Sequence, residues 1–367
     1  MKKVVIAPDS FKGTLSSAEV CRIIAQELRS RYADLEIIQI PVADGGEGTV
    51  EALITAMGGE KIFCTVKSPL GRNISAYYGL LPDGTAVIEM AQASGITLED
   101  ENNALKSSTY GTGQLIAEAV QGGAKNIVIG IGGSATTDGG IGALAALGVS
   151  FTDREGKQVP LCGEGLSLIE QIDTSALDNT VRECNITLLC DVTNPLYGKN
   201  GAAYVFAPQK GASQRDVVLL DEGLQRLADK SKTALGKDFS LFAGAGAAGG
   251  LGFGLMAFLD AKPQSGISYI LEKTDFARRV QDADLVITGE GKMDSQSLMG
   301  KVPFCVAENA RGRRVAAIVG VSEISSEKAL SAGISQIIET NPLHLDFEAI
   351  KSSAEQMLAA ACKDILI

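Results

Sequence analysis

Five short segments of the 367-residue chain carry a carboxylate, and each follows an apolar run typical of a β-strand. Four of them combine the carboxylate with glycine, whereas segment 191–195 has none. Glycine lets backbone amides converge on phosphate oxygens, while carboxylates bind Mg²⁺ or accept protons. For any one segment a glycine-rich turn without function is an equal alternative, but five together favour a site. The residue types therefore predict phosphoryl transfer, which needs positioning and charge neutralisation more than covalent chemistry. The segments are 9–14, 44–48, 132–140, 191–195 and 289–294.

Other chemistries lack the residues that they require. His344 is the only histidine, so multi-histidine metal sites and the HExxH helix are excluded. None of the Gly-Lys pairs has the neighbours of a P-loop, and no GxSxG segment accompanies the histidine. The net charge of −11 argues against nucleic acid or an anionic membrane as a partner. Proton transfer therefore depends on Asp, Glu or Lys, and we interpret His344 as structural or exposed.

Segment 244–249 matches the GxGxxG pattern of dinucleotide sites. It lacks a convincing strand before it and an acidic residue at the expected distance, so we interpret it as a packing segment. It belongs to the uncharged stretch 241–259, which contains six glycines and five alanines. Glycine disfavours a helix and lipid tolerates no irregular backbone, so this stretch predicts a buried segment rather than a membrane span.

The elements that carry the five segments alternate between strand and helix, as in a parallel α/β sheet. The apolar run 4–7 predicts the first strand, and Ser16 with Glu19 predicts a capping box for the helix that follows. Segments 74–80 and 86–90 predict a hairpin, because Pro82-Asp83-Gly84 joins them.

Later segments repeat the opening pattern. Residues 285–288 and 315–319 predict strands, and 347–366 predicts one terminal helix. The fold class is therefore α/β with two domains. We predict a Rossmann-like, doubly wound parallel sheet from both chain ends, residues 1–65 and 280–367, with a mixed α/β domain, 66–279, inserted between them.

The N-terminus lacks the apolar core of an export signal. The seven cysteines are scattered without a CxxC pair, which fits reduced thiols. Both features indicate a cytoplasmic protein.

Several longer motifs in one order resemble the type-1 glycerate kinase family, nearly end to end. The resembling segments are Asp9-Ser10-Phe11-Lys12-Gly13, 41–49, 132–140, 190–196, 208–212, 244–252 and 289–297.

This resemblance implies ATP-dependent phosphorylation of D-glycerate to phosphoglycerate, with Mg²⁺, in the cytoplasm. It also implies that the inserted domain faces the Rossmann-like domain across an active-site cleft. Bacterial members commonly phosphorylate the 2-hydroxyl, so 2-phosphoglycerate is the favoured product over 3-phosphoglycerate. The sequence leaves open whether the chain forms a homo-oligomer.

The loops suggest a role for each candidate residue. We predict Asp191 as the base or orienter for the glycerate hydroxyl, and Asp44 or Asp294 as the Mg²⁺ ligand. Lys12 and the amides of 132–134 are predicted to neutralise phosphate. Arg72 either holds the substrate carboxylate bidentately or is a surface turn charge. The other predicted contacts are Ser10, Phe11 and Asn194 for substrate, and Gly132, Gly133, Ser134, Gly289, Gly291 and Lys292 for the nucleotide.

Two other classes of function stay open at this point. An NAD-dependent hydroxy-acid dehydrogenase would use segment 244–249 as its cofactor turn. A non-catalytic protein would bind glycerate or nucleotide without making ADP.

Overall fold

The structure, a computed structural model, describes residues 2–295 and 297–366. Gln296, within the last family motif, lies outside the described residues. Strands and helices are numbered in chain order. The strands are β1 (Lys3–Ile6), β2 (Glu36–Gln39), β3 (Glu60–Lys67), β4 (Asn73–Leu80), β5 (Ala86–Glu89), β6 (Asn126–Gly130), β7 (Ser150–Thr152), β8 (Gln171–Asp173), β9 (Asn185–Leu189), β10 (Lys262–Gln264), β11 (Leu285–Met293), β12 (Val315–Ser322) and β13 (Gln336–Glu339). The helices are α1 (Ser17–Arg31), α2 (Thr49–Met57), α3 (Ala91–Ser94), α4 (Tyr110–Gln121), α5 (Ile141–Ala146), α6 (Asn179–Arg182), α7 (Ala202–Phe206), α8 (Gln214–Leu235), α9 (Leu251–Leu259), α10 (Gly266–Lys273), α11 (Phe276–Arg279), α12 (Val302–Asn309), α13 (Ser326–Ser331), α14 (Phe347–Lys351) and α15 (Ala354–Ala361).

The two chain ends build one parallel sheet. Its strand order is β13-β12-β11-β1-β2, and Val4 pairs with Ile37 on one side and Leu285 on the other. From β1 the chain proceeds to β2 in one direction, whereas from β11 it proceeds to β12 and β13 in the other. The order therefore reverses between β1 and β11, the kind of switch point where open α/β sheets bind ligands. The predicted Rossmann-like sheet is confirmed.

The middle of the chain builds a second, mixed sheet with the order β10-β9-β6-β5-β4-β3. Strands β5, β6, β9 and β10 are parallel, while β3 and β4 form an antiparallel edge. The predicted hairpin around Pro82-Asp83-Gly84 is β4 and β5, and the insertion of a mixed α/β fold is confirmed.

The chain separates into two compact units. The described residues of the first lie within 1–44, 51–58 and 266–367, and those of the second lie within 45–50 and 59–265. The seam predicted at 65/66 and 279/280, and the cleft between the domains, stay predictions.

Helix α1 illustrates how local sequence places the core of the first unit. Ser16 and Glu19 form the predicted capping box, which satisfies amide groups at the start of the helix. Val20, Ile24 and Leu28 recur at helical spacing and are completely buried. The amphipathic stripe therefore fixes which face of α1 covers the sheet.

The glycine-rich stretch 241–259 is largely buried, and its α-helix is the nine-residue α9, which follows the short 3-10 helix Ala247–Gly250. A Cβ at Gly246 would lie 2.3 Å from the Pro195 carbonyl oxygen, and one at Gly249 would lie 2.0 Å from that of Thr136. Glycine is needed here for close backbone packing, as predicted. Among the described residues no helix has both the length and the apolar character to cross a membrane.

Two predictions of element boundaries were wrong. Segment 289–293 is not a loop but the continuation of β11, because Glu290 and Lys292 pair with Val319 and Val321 of β12. The terminal segment 347–366 is not one helix. It breaks between α14 and α15, where the Ser353 hydroxyl approaches the Ala349 and Ile350 carbonyl oxygens at 3.4 Å.

Candidate active site

A cavity of about 330 Å³ lies within the first unit, beside the switch point between β1 and β11. Its walls come from segments that follow β1, β2 and β13 and from β11 and β12 themselves. One part of the wall is charged and another is apolar. The charged residues are Asp9, Asp44, Glu290, Lys12, Lys292 and Lys301, and the larger apolar ones are Phe11, Phe347, Ile350 and Met357.

The sheet ladder holds the loop after β1 in place. The Asp9 amide donates to the Gly289 carbonyl oxygen at 2.8 Å, which continues the pairing of β1 with β11 beyond the last strand residue. The Asp9 carboxylate then accepts the Ser10 amide at 2.7 Å. Gly13 turns the loop with a φ of +80°, where the ring of Phe347 packs against it. These contacts place Asp9, Ser10 and Phe11 at the carboxyl edge of the sheet.

Strand packing explains one of the two glycines predicted to contact the nucleotide. A Cβ at Gly289 would lie 2.1 Å from the Ile318 carbonyl oxygen, so β12 requires glycine there. A Cβ at Gly291 would meet only ordinary contacts, the nearest being Phe11 at 3.5 Å. Gly291 lines the cavity, and its missing side chain leaves the wall open there.

The carboxylates of the cavity perturb one another. Burial raises the pKa of Asp9 to about 7, and the nearby charges of Asp44 and Glu290 add to this effect. The Ser10 amide and Lys12 act in the opposite direction but do not outweigh it. Burial also raises the pKa of Glu290, and its Oε1 has no hydrogen-bond partner among the described residues. Burial opposes the charge of Lys12, but Asp44 and Asp9 outweigh it and raise the pKa of the lysine. The cavity therefore holds a firmly protonated lysine and carboxyl groups that accept protons more readily than usual.

Six of the predicted site residues line this one cavity. Lys12 contacts Asp44 with an Nζ to Oδ2 distance of 3.2 Å. Lys292 is largely exposed and pairs with Glu323 at 2.8 Å. The six are Ser10, Phe11, Lys12, Asp44, Gly291 and Lys292.

Asp294 lies just beyond the end of β11, next to the cavity wall. Its carboxylate is 3.9 Å from Nζ of Lys301, which lines the cavity, and it accepts the Ser297 amide at 3.3 Å. The predicted Mg²⁺ ligands Asp44 and Asp294 therefore belong to the same unit.

The predicted phosphate loop, residues 132–140, belongs to the second unit and follows β6. The Gly132 amide donates to the Gly45 carbonyl oxygen at 3.4 Å, and the Ala135 amide donates to that of Ser94 at 2.9 Å. No described group accepts a hydrogen bond from the backbone amides of Gly133 and Ser134. These two N–H groups, rather than all three predicted, remain for an anion.

The other end of the loop is anchored by Asp138, which is completely buried. Its carboxylate accepts the Thr109 amide and hydroxyl at 2.8 Å each, the Gly140 amide at 3.0 Å and the Gly142 amide at 3.3 Å. Burial raises the pKa of Asp138 although these donors oppose it. The carboxylate therefore ties the loop to the start of α5 and to the residue before α4.

Three further predicted residues lie on loops of the second unit. Asp191 is exposed on the loop after β9. Asn194 is tied into that loop, since its Nδ2 donates to the Asn200 carbonyl oxygen at 2.8 Å. Arg72 forms an ion pair with Glu99 and donates to the Leu98 carbonyl oxygen at 2.9 Å. These contacts favour the turn-charge interpretation of Arg72 over substrate binding.

Sequence reasoning assigned no role to several buried charged residues. Asp9 and Glu290 stand in the segments that it singled out, and Lys210 stands in a family motif. Glu89 ends β5, where it accepts the Val50 amide at 2.7 Å, and burial raises its pKa to about 6. Only burial distinguishes these four from other loop charges, and burial follows from tertiary packing.

Comparison with known proteins assigns the chain to a family. The model of the glycerate kinase family matches residues 4–367. Glycerate 2-kinase of Escherichia coli K12 is 47% identical over 312 residues, which cover 84% of this chain and 82% of the relative. Glycerate kinase of Bacillus subtilis 168 is 43% identical over 368 residues, which cover 99% and 96%.

A solved structure agrees with the sequence relatives. A crystal structure from Salmonella typhimurium LT2, provisionally assigned as glycerate kinase 2, has a TM-score of 0.86 and 42% identity, and the match covers 99% of this chain and 96% of that one. The resemblance of the motifs is thus confirmed, and the chain belongs to the glycerate kinase family.

Proposed function

We propose that the protein transfers the γ-phosphoryl group of ATP to a hydroxyl of D-glycerate in the cytoplasm, with 2-phosphoglycerate as the favoured product. The family assignment supports a kinase, and the name of the Escherichia coli relative, glycerate 2-kinase, supports the 2-position. The observation that carries the proposal is the cavity at the switch point, where Lys12 lies beside Asp44, Asp9 and Glu290.

The donor set of this cavity suits Mg²⁺. Mg²⁺ typically binds one or two carboxylates and completes its shell with water and substrate phosphates. Among the described residues no three acidic, thiol or imidazole groups lie close enough to hold a metal alone, so a substrate-completed site is the appropriate kind. Asp44 and Asp294 are the proposed ligands, and the unpartnered Glu290 Oε1 supplies a further oxygen. The ion would neutralise charge on the transferring phosphoryl group.

The protein's own residues perform the other parts of the reaction. Lys12, whose raised pKa keeps it charged, is proposed to neutralise phosphate oxygens. Asp191 is the proposed acceptor of the substrate hydroxyl proton. Asp9 is a second candidate, because a pKa of about 7 matches the pH at which a general base is most effective.

The direct test is a coupled assay of ADP release with a panel of hydroxy acids: D-glycerate, L-glycerate, glycolate and D-lactate. We expect Mg²⁺-dependent ADP release with D-glycerate, and we expect ³¹P NMR of the product to show the new phosphate on the 2-hydroxyl. No ADP release with any of the four would refute the kinase. NAD reduction with glycerate in the absence of ATP would instead identify a dehydrogenase.

Replacement of the two candidate bases separates them. If Asp191 accepts the proton, Asp191→Asn lowers kcat by about 10²- to 10⁴-fold, the usual contribution of a general base. Asp9→Asn then has the smaller effect. If Asp191→Asn instead keeps a near-normal kcat while Asp9→Asn loses most of it, Asp9 is the general base.

A further inference from the structure

Lys210 is a completely buried lysine that the proposed reaction leaves without a role. It ends the short turn Pro208–Lys210 after α7, and only 2% of its surface is exposed. Gly211 follows with a φ of +85°, and a Cβ there would lie 2.4 Å from the Asn102 carbonyl oxygen. The backbone around the lysine is thus tightly packed, and its ammonium group is directed inward.

The ammonium group holds the predicted phosphate loop. Lys210 Nζ donates to the Ser134 hydroxyl oxygen at 2.7 Å and to the Thr136 carbonyl oxygen at 2.6 Å. The Ile96 amide also donates to the Gly133 carbonyl oxygen, and the Ala135 amide donates to that of Ser94, both at 2.9 Å. The segment 133–136 is therefore held both by Lys210 and by the backbone of residues 94–96.

These contacts determine which donors the loop presents. Because the Ser134 hydroxyl oxygen accepts a hydrogen bond from Lys210, its own hydrogen remains available to donate elsewhere. The amides of Gly133 and Ser134 also have no described acceptor. Gly133 is exposed and Ser134 is 8% exposed, so the loop that follows β6 reaches the surface at Gly133 and the donors of Ser134 lie directly next to it in the chain.

A purely structural role does not require a charge at this position. A buried ammonium is costly unless it is paired, and a neutral donor would satisfy one hydroxyl and one carbonyl at lower cost. Among the described residues, Asp138 is the charged side chain that interacts electrostatically with Lys210. Its oxygens, however, already accept hydrogen bonds from Thr109, Gly140 and Gly142. Burial lowers the pKa of Lys210 to about 7 although Asp138 opposes this shift, so an anion bound at the loop would favour the protonated form of the lysine.

We propose that Lys210 is a positioning residue that orients Ser134 to bind an anionic oxygen of a substrate together with the amides of Gly133 and Ser134. The ligand class is a phosphate or a carboxylate, which ATP and glycerate respectively supply. This inference rests on the proposed function only for the choice of those two ligands.

The test combines Lys210→Met, Ser134→Ala and the double variant in a mutant cycle, with Lys237→Met on the surface as the control. KM is measured separately for ATP and for D-glycerate. We expect Lys210→Met to raise one of the two KM values about 10-fold or more, as for loss of a charge-assisted hydrogen bond. The affected substrate identifies phosphate or carboxylate as the ligand.

The double variant distinguishes positioning from general damage. If Lys210 acts through Ser134, the double variant is no worse than Lys210→Met, so the two effects are not additive. Fold-changes that multiply, or a lowered Tm with both KM values unchanged, would overturn the proposal. If Lys210→Met does not fold, the Ser134→Ala variant tests the proposal by itself. Unchanged KM values for both substrates in that variant would overturn the proposal.

A binding measurement keeps this proposal separate from the proposed function. The rise in Tm caused by ADP, inorganic phosphate and D-glycerate is recorded at constant ionic strength for the wild type and each variant. We expect at least one ligand to stabilise the wild type and to lose most of its effect in Lys210→Met. A wild type that binds but releases no ADP with glycerate refutes only the kinase, whereas a wild type stabilised by none of the three overturns the inference.

Discussion

At the residue scale, the cavity of the first unit is a place where burial and like charges act on the same carboxyl group. Asp9 is 7% exposed and lies near both Asp44 and Glu290. In the unfolded chain its carboxyl group has the ordinary pKa of 3.8, and in the folded protein the pKa is about 7. The folded state therefore binds this proton more tightly than the unfolded state does, which links stability to pH.

Asp9→Asn is expected to alter this pH dependence. In the wild type, the raised pKa of Asp9 contributes to the free energy of unfolding; this contribution is fully present below about pH 4 and is lost as the pH rises through 7. The asparagine variant does not titrate, so at pH 8 its free energy of unfolding should exceed that of the wild type by about 2–4 kcal/mol. Urea unfolding between pH 5 and pH 8 measures the difference, with the exposed Asp34→Asn as the control. A variant less stable than the wild type at pH 8 would contradict the shift.

Lys12 provides the second prediction at this scale. Its side chain is 74% exposed, so Lys12→Met should leave Tm nearly unchanged. If the ammonium neutralises phosphate charge, kcat/KM should fall by about 10²- to 10³-fold, as when one transition-state donor is lost. Steady-state kinetics with the surface variant Lys328→Met as the control measures this effect. Unchanged kinetics would remove Lys12 from the site.

At the element scale, helix α4 contains glycines where helix propensity alone would favour alanine. A Cβ at Gly113 would lie 2.3 Å from the Ala143 carbonyl oxygen of α5, and one at Gly111 would lie 1.9 Å from that of Lys67 in β3. Glycine thus permits α4 to approach both neighbours closely, and helix packing outweighs local preference.

Gly113→Ala tests which of these effects dominates. Propensity predicts stabilisation by about 1 kcal/mol, whereas overpacking against a backbone oxygen predicts destabilisation by about 2–4 kcal/mol. We expect destabilisation, measured by urea unfolding. The control is Gly84→Ala, which has open space but a φ of +80° and should cost about 1 kcal/mol. A stabilised Gly113→Ala variant would disprove the packing argument.

At the scale of the whole molecule, each compact unit contains a buried apolar cluster of its own. Ile24 of α1 is completely buried in the cluster of the first unit, and Ile129 of β6 is completely buried in that of the second. A unit with its own core is able to unfold as a cooperative unit, so one two-state transition is not expected for the chain.

Calorimetry of two core variants tests this independence. Ile24→Ala and Ile129→Ala should each destabilise the protein by about 2–5 kcal/mol because each leaves a cavity. We expect them to lower different components of the unfolding profile. Equal displacement of a single symmetric transition by both variants would indicate one cooperative unit instead.

Local sequence was sufficient for much of the fold. The capping box of Ser16 and Glu19 and the hairpin around Pro82-Asp83-Gly84 depend on neighbouring residues, and both were predicted. The continuation of β11 through Lys292 was not, because Gly289 and Gly291 resemble a turn until pairing with β12 is known. The break after Lys351 was missed because the apolar spacing of the terminal helix continues across it.

The sequence by itself determined the family, the parallel sheet from the two chain ends and the segments from which a site is built, since motifs and hydrophobic periodicity are local properties. Only the tertiary structure decided which charges in those segments are unusual. Asp9, Glu290 and Lys210 look like ordinary loop residues in the sequence, but burial and distant neighbours change their pKa values. Desolvation depends on the packing of residues far apart in the chain, which no short motif records.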